Sequence, residues 1–144
     1  MIEATPGDAT SKRLLPVPDE TSAGYWEAAA RHVLTLARCS NCGQMTLPPD
    51  LTCPHCHTID PRFTFAPVEG RGRIRTWTVI RRPFLQGFDV PFVLVDVQLD
   101  DQPRVRIIGR LLDGPDAPLR LDAPVNVAFE DLTPEISVPA FRLA

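Results

Sequence analysis

Apolar and polar positions alternate with period two along most of this chain, in short runs that proline and glycine cut apart. Such alternation turns one side chain of each pair toward a core and the next toward water, which is the signature of half-buried strands. Residues 33–38 (Val-Leu-Thr-Leu-Ala-Arg) form the first run, residues 45–47 and 63–65 two shorter ones. Beyond Glu69 the runs lengthen. Residues 70–80 predict a long strand whose Gly70 and Gly72 permit the sharp coiling of a small barrel. Residues 91–99 predict a second, apolar on both faces at its start, and residues 104–112 a third after a turn at 100–103. Residues 124–130 and 136–141 complete a set of five, with room for one helical turn in the spacer 113–123, near Pro115-Asp116-Ala117. Five strands with a break after the third fit a Greek-key barrel of the OB type, although pattern alone leaves other small barrels open.

One stretch departs from alternation. Asp19-Glu20-Thr21-Ser22 supplies helix-capping side chains ahead of the alanine-rich residues 25–31. Tyr25 and Trp26 are adjacent and diverge by about 100° around a helix. One of them is expected to anchor the helix on the neighbouring strands; the other is left open between core and partner surface. Residues 1–18 have no period and three prolines, and read as a flexible arm.

At 144 residues the chain makes one medium domain or two small ones. Its net charge of −3 argues against a general polyanion binder, whose affinity comes from neutralising phosphates. No apolar run approaches the length of a membrane-spanning helix, and the first residues lack the apolar stretch of a signal peptide. A cytoplasmic protein with no membrane or nucleic-acid partner is therefore expected.

The chain has four cysteines, in two tight pairs: Cys39-Ser40-Asn41-Cys42-Gly43 and Cys53-Pro54-His55-Cys56. Two intervening residues let a short turn aim both sulfurs at one ion, and two facing turns close a tetrahedral thiolate cage of the kind Zn²⁺ favours. Cys39, Cys42, Cys53 and Cys56 are the expected ligands of a structural Zn²⁺. Four protein ligands leave no open position for substrate. Iron in a rubredoxin-type site uses the same two turns; zinc is preferred because it needs no redox partner. His55 and His57 read as solvent-facing beside a complete ligand set. The expected architecture is mainly β: the arm at 1–18, an N-terminal helix and zinc ribbon at 19–68, and a five-stranded OB-fold barrel at 69–144.

The order of motifs resembles a known family. An aromatic helix precedes Arg38-Cys39-Ser40-Asn41-Cys42-Gly43, then Pro48-Pro49, Cys53-Pro54-His55-Cys56, Gly70-Arg71-Gly72, Thr76-Trp77-Thr78-Val79 and Val127-Ala128-Phe129-Glu130-Asp131. From about residue 20 to the end this is similar to proteins that join a rubredoxin-like zinc ribbon to an acyl-CoA-associated OB-fold domain. One departure is His57, where such proteins commonly carry glycine. The resemblance implies a non-catalytic accessory subunit of a thiolase-fold enzyme: a thiolase, an acyltransferase or a retro-aldolase that shortens CoA-linked steroid side chains. It implies a thiolase-fold partner, a hydratase as a further candidate partner, and a CoA thioester shared with the partner.

The residues agree with that division of labour. There is no serine elbow, no cysteine outside the two pairs and no evident histidine–carboxylate arrangement; His32 reads as a surface or packing residue. Arg71, Arg73, Arg75, Arg81 and Arg82, with Arg104, Arg106 and Arg110 on a later strand, are candidates for the CoA phosphates, because guanidinium forks match phosphate oxygens. For any single one of them a solvated strand face is the stronger reading. Tyr25, Trp26, Val138, Phe141 and Leu143 are candidate partner contacts, with packing on the barrel as the alternative for the last three. A nucleic-acid module is the alternative from another class, disfavoured by the acidic balance and an aromatic share of 7%. A rubredoxin-like electron carrier is the third.

Overall fold

One helix and eight strands occur among residues 13–144, the part of the chain that the computed structural model describes. Residues 1–12 of the expected arm lie outside the described residues. Strands β1 (Thr35–Arg38), β2 (Met45–Thr46) and β3 (Thr64–Pro67) form an antiparallel sheet in the order β2-β1-β3. Strands β4 (Arg71–Ile80), β5 (Phe92–Leu99), β6 (Arg106–Leu111), β7 (Pro124–Asp131) and β8 (Ser137–Leu143) close into a barrel in the order β4-β5-β6-β8-β7, with β7 returning to β4. All its pairings are antiparallel except β6 with β8, where Arg110 lies opposite Ala140. The last strand is thus inserted between β6 and β7, giving the Greek-key connection of an OB-fold barrel.

Alternation builds the barrel interior. Ile74, Val93, Val95, Val97, Leu99, Val125 and Phe141 all point inward and are essentially inaccessible. In β4 the register slips between Ile74 and Thr76, leaving Arg75 as an extra residue. The bulge turns Arg75 and Thr76 outward together and brings Trp77 and Val79 to the inner side. Residues 112–123 contain turns and no helical turn. Pro115 and Pro118 withhold backbone donors there, and Ala117 and Leu119 pack against the barrel core.

The helix α1 (Ala23–Ala30) follows a closed turn. The Asp19 carboxylate accepts hydrogen bonds from the Ser22 backbone N–H at 2.8 Å and from the Ser22 hydroxyl at 2.7 Å. These bonds to Ser22 hold the Asp19 carboxyl below its ordinary pKa. Tyr25 is the buried anchor, and burial pushes its phenol up to about 12. Trp26 meets it edge-on, with ring centroids 5.0 Å apart, and is itself half-buried against the core.

Helix, ribbon and barrel share one core, in which Tyr25, Leu34 and Leu36 contact barrel residues. The joint is tight. Gly70 has φ +73°, and a Cβ there would stand 2.1 Å from Val127 Cγ1. The Val127 N–H donates to the Gly70 carbonyl at 2.8 Å. The His32 ring stacks on Phe129 at 5.2 Å between centroids, and its Nε2 lies 2.6 Å from Asp131 Oδ1. The C-terminal apolar residues are part of the barrel. Phe141 is fully buried, and β8 pairs on both sides, so Val138, Phe141 and Leu143 do not form a free apolar tail for a partner.

Candidate metal centre

Two backbone turns with the same bonding pattern carry the cysteines. In the first, the Cys39 N–H donates to the Gln44 carbonyl at 3.0 Å and the Gly43 N–H to the Cys39 carbonyl at 2.9 Å. In the second, the Cys53 N–H donates to the Thr58 carbonyl at 3.1 Å and the His57 N–H to the Cys53 carbonyl at 2.9 Å. Gly43 and His57 occupy the same place, with φ +73° and +63°. The second turn therefore keeps the shape that glycine gives the first, at the cost of a side chain in the left-handed region. Ser40 ties the first turn to the segment beyond the second, its N–H and hydroxyl both donating to the Pro61 carbonyl at 2.8 Å.

The four sulfurs lie within 4.8 Å of one another. Cys39 Sγ and Cys56 Sγ are 3.8 Å apart, Cys42 Sγ and Cys53 Sγ 3.7 Å. A tetrahedron with Zn–S bonds of about 2.3 Å has edges of about 3.8 Å, so the set is dimensioned for such an ion. Cys39 and Cys53 are buried, whereas Cys42 and Cys56 are partly accessible.

Polar hydrogens converge on the outer pair. The Asn41 amide donates to Cys56 Sγ at 3.4 Å. The backbones of Gln44 and Thr58, each two residues past the second cysteine of its turn, hydrogen-bond to Cys42 and Cys56. Asn41, then Thr58, hold the Cys56 thiol down to about 6. Gln44 pulls Cys42 the same way, but burial and the neighbouring sulfurs outweigh it and push that thiol up to about 11. Crowded thiols resist joint ionisation, and a divalent cation is what relieves that repulsion. The spacing alone does not single out Asn41, although its place between two paired cysteines is a usable signal. His55 and His57 are exposed, His55 Nε2 lying 3.3 Å from the Met45 carbonyl.

The arginines come to the barrel surface, mostly with carboxylates beside them. Arg71 pairs with Glu69, Arg73 with Asp100 at 3.7 Å, and Arg75 with Asp122 at 2.5 Å. Arg106 takes Asp96 with two bonds, at 3.0 and 2.5 Å. Arg110 reaches Glu130 at 3.4 Å. Arg81, Arg82 and Arg104 are exposed and have no carboxylate partner among the described residues.

Two clusters join residues far apart in sequence and were not evident from it. Asp131 Oδ1 accepts from the Ser137 hydroxyl at 2.6 Å and also meets His32, 99 positions away. A histidine–carboxylate pair is therefore present, contrary to the sequence reading. The serine bonds to the carboxylate rather than to the imidazole, so this is not a nucleophile–base relay; it fastens ribbon to barrel. In the second cluster, Arg13 donates to the Gly87 carbonyl at 3.1 Å, pairs with Glu130 at 3.3 Å and covers the Phe88 ring at 4.3 Å.

Comparison with known proteins follows the same two parts. Residues 26–59 match the family described as ChsH2, rubredoxin-like zinc ribbon domain, and residues 66–130 that described as ChsH2, C-terminal OB-fold domain. A chain of the solved Ltp2-ChsH2(DUF35) aldolase superposes with a TM-score of 0.77 and 26% identity, covering 89% of this chain and 98% of that one. A DUF35-family protein from Sulfolobus solfataricus shares the fold, with a TM-score of 0.58 and 10% identity over 87% of this chain and 86% of that one. A probable enoyl-CoA hydratase alpha subunit of Thermomonospora curvata is 27% identical over 99% of this chain. A DUF35 domain-containing scaffold protein of Methanothermobacter thermautotrophicus is 30% identical over 60% of it. The chain spans 43% of the length of the first of these two relatives and 65% of the second. Among the described residues no helix is long and apolar enough to cross a membrane.

Proposed function

The chain belongs to the ChsH2 (DUF35) family, carrying both of its domains in order, and on that premise we propose that it is a zinc-bearing accessory subunit of a heteromeric, acyl-CoA-processing enzyme with a thiolase-fold catalytic partner. The observation that carries this reading is the match to a chain of the Ltp2-ChsH2(DUF35) aldolase over nearly the whole of both chains. Retro-aldol cleavage in lipid or steroid side-chain degradation is accordingly the favoured reaction of the complex, ahead of thiolysis. The name of the Thermomonospora curvata relative makes a hydratase the further candidate partner.

Within that complex Cys39, Cys42, Cys53 and Cys56 would hold one Zn²⁺, which supplies a cross-link between the two turns and takes no part in the reaction. The ribbon at 19–68 and the barrel at 69–144 would then present one rigid surface to the partner. Arg81 and Arg82 are the favoured contacts for the phosphates of a shared CoA thioester, because Arg71, Arg73 and Arg75 already face carboxylates.

The test is reconstitution. The chain alone, the thiolase-fold partner alone and the two together are assayed for cleavage of a β-hydroxyacyl-CoA, followed by release of the carbonyl product. Turnover is expected only, or at least a hundredfold faster, with both present. Robust cleavage by the isolated chain, with the partner excluded by mass spectrometry, would sink the reading.

A further inference from the structure

An apolar groove of about 280 Å³ crosses the outside of the barrel. Leu94 of β5, Val138 and Pro139 of β8, and Leu132 beyond β7 line it, with Leu15 and Phe88 as its outer walls. It runs across β5, β6 and β8 beside the end of β7, with Phe88 of the loop 81–91 and Leu132 of the turn after β7 at its edges, the end of the barrel from which OB folds extend their ligand-binding loops. Its lining is mainly aliphatic, with Phe88 as its one aromatic among the described residues, whereas a single-stranded nucleic acid needs a basic track with several aromatics for stacking.

Its polar wall is three charges. Glu130 faces both Arg13, at 3.3 Å, and Arg110, at 3.4 Å. Their side chains are only 12, 16 and 28% exposed for Arg13, Glu130 and Arg110 respectively. Two guanidinium groups against one carboxylate leave an excess positive charge in a poorly hydrated, mainly apolar wall, an arrangement that is costly until an anion completes it. Arg13 uses Nε on the Gly87 carbonyl and its terminal nitrogens on Glu130. Arg110 engages Glu130 through Nε, and its two terminal nitrogens have no partner among the described residues. Among the described residues, the excess charge and the unpartnered donors coincide at Arg110.

We propose that this groove binds an amphipathic carboxylate, its carboxyl group taken by Arg110 and its alkyl chain laid between Leu94, Leu132 and Val138. Ligand pockets commonly combine an apolar lining with one or two placed polar groups, and this volume is at their small end, suited to a single unbranched chain. The inference concerns the isolated subunit and holds whether or not a thiolase-fold partner exists.

The test is calorimetric titration of the zinc-loaded full chain with sodium decanoate below its micellar concentration, and with 1-decanol as the uncharged control. Saturable binding of one decanoate per chain is expected, with Kd on the order of 100 μM and at least fivefold tighter than for 1-decanol. Arg110→Gln should weaken decanoate about tenfold and leave 1-decanol within twofold, while Val138→Glu, which puts a carboxylate into the groove, should weaken both. Absence of saturable decanoate binding by the unaltered chain, or equal affinity for decanoate and 1-decanol, overturns the proposal even if a variant fails to fold. So does an Arg110→Gln protein of native zinc content and circular dichroism that binds decanoate as well as the original.

Discussion

His57 sits at φ +63°, in the place that Gly43 fills in the other turn. Its side chain is exposed and gains no burial in return. His57→Gly should therefore stabilise the zinc-loaded protein by about 0.5–1 kcal/mol, less than the full left-handed penalty because glycine also loses more freedom on folding. Urea denaturation checks this, and a lower midpoint in the variant would refute it. Asp131 gives a pH dependence. The Ser137 hydroxyl first, and His32 second, favour its charged form and lower its pKa. A lowered carboxyl contributes stability that is present above its unfolded value, about 4, and lost as pH falls through the folded value. Asp131→Asn should flatten the acid limb of the stability curve, measured between pH 6 and about 2.5; an unchanged limb would show that the contact carries no net energy. At this scale the cysteines were legible because ligand spacing is local. His32–Asp131 and Arg13–Glu130 were not, since each pairs residues about a hundred positions apart or more and leaves no local pattern.

The joint between ribbon and barrel leaves no room for a side chain at Gly70. Alanine there would need both a left-handed backbone and room that Val127 occupies. Gly70→Ala should cost about 2–4 kcal/mol, visible as a fall in the urea midpoint. A loss below about 0.5 kcal/mol would mean that β4 and β7 separate there easily. The long barrel strands were readable because one face of each is buried, which forces period two. The bulge was legible in principle, because the consecutive polar residues Arg75 and Thr76 shift the apolar positions from Ile74 to Trp77 and Val79, although one slipped residue inside a long strand is a faint signal. A different limit applies to β8: an apolar C-terminal run looks alike whether it meets a partner or slots between two strands, and only the pairing with β6 and β7 decides.

Taken whole, the molecule is a four-cysteine ribbon joined through a shared core to a closed barrel, with the His32–Asp131 pair at the joint. A small ribbon buries too little to hold itself, so its ion should supply much of its folding energy. Cys39→Ser should remove most of the zinc, measured by elemental analysis, and lower stability by several kcal/mol; full zinc retention would show that three thiolates and a histidine suffice. The most direct test of the accessory-subunit account is native mass spectrometry of the chain co-expressed with a thiolase-fold subunit. A heteromeric assembly is expected, with a mass that includes one zinc for every copy of this chain. A chain that emerges alone, or an assembly that forms equally well without it, would contradict the account.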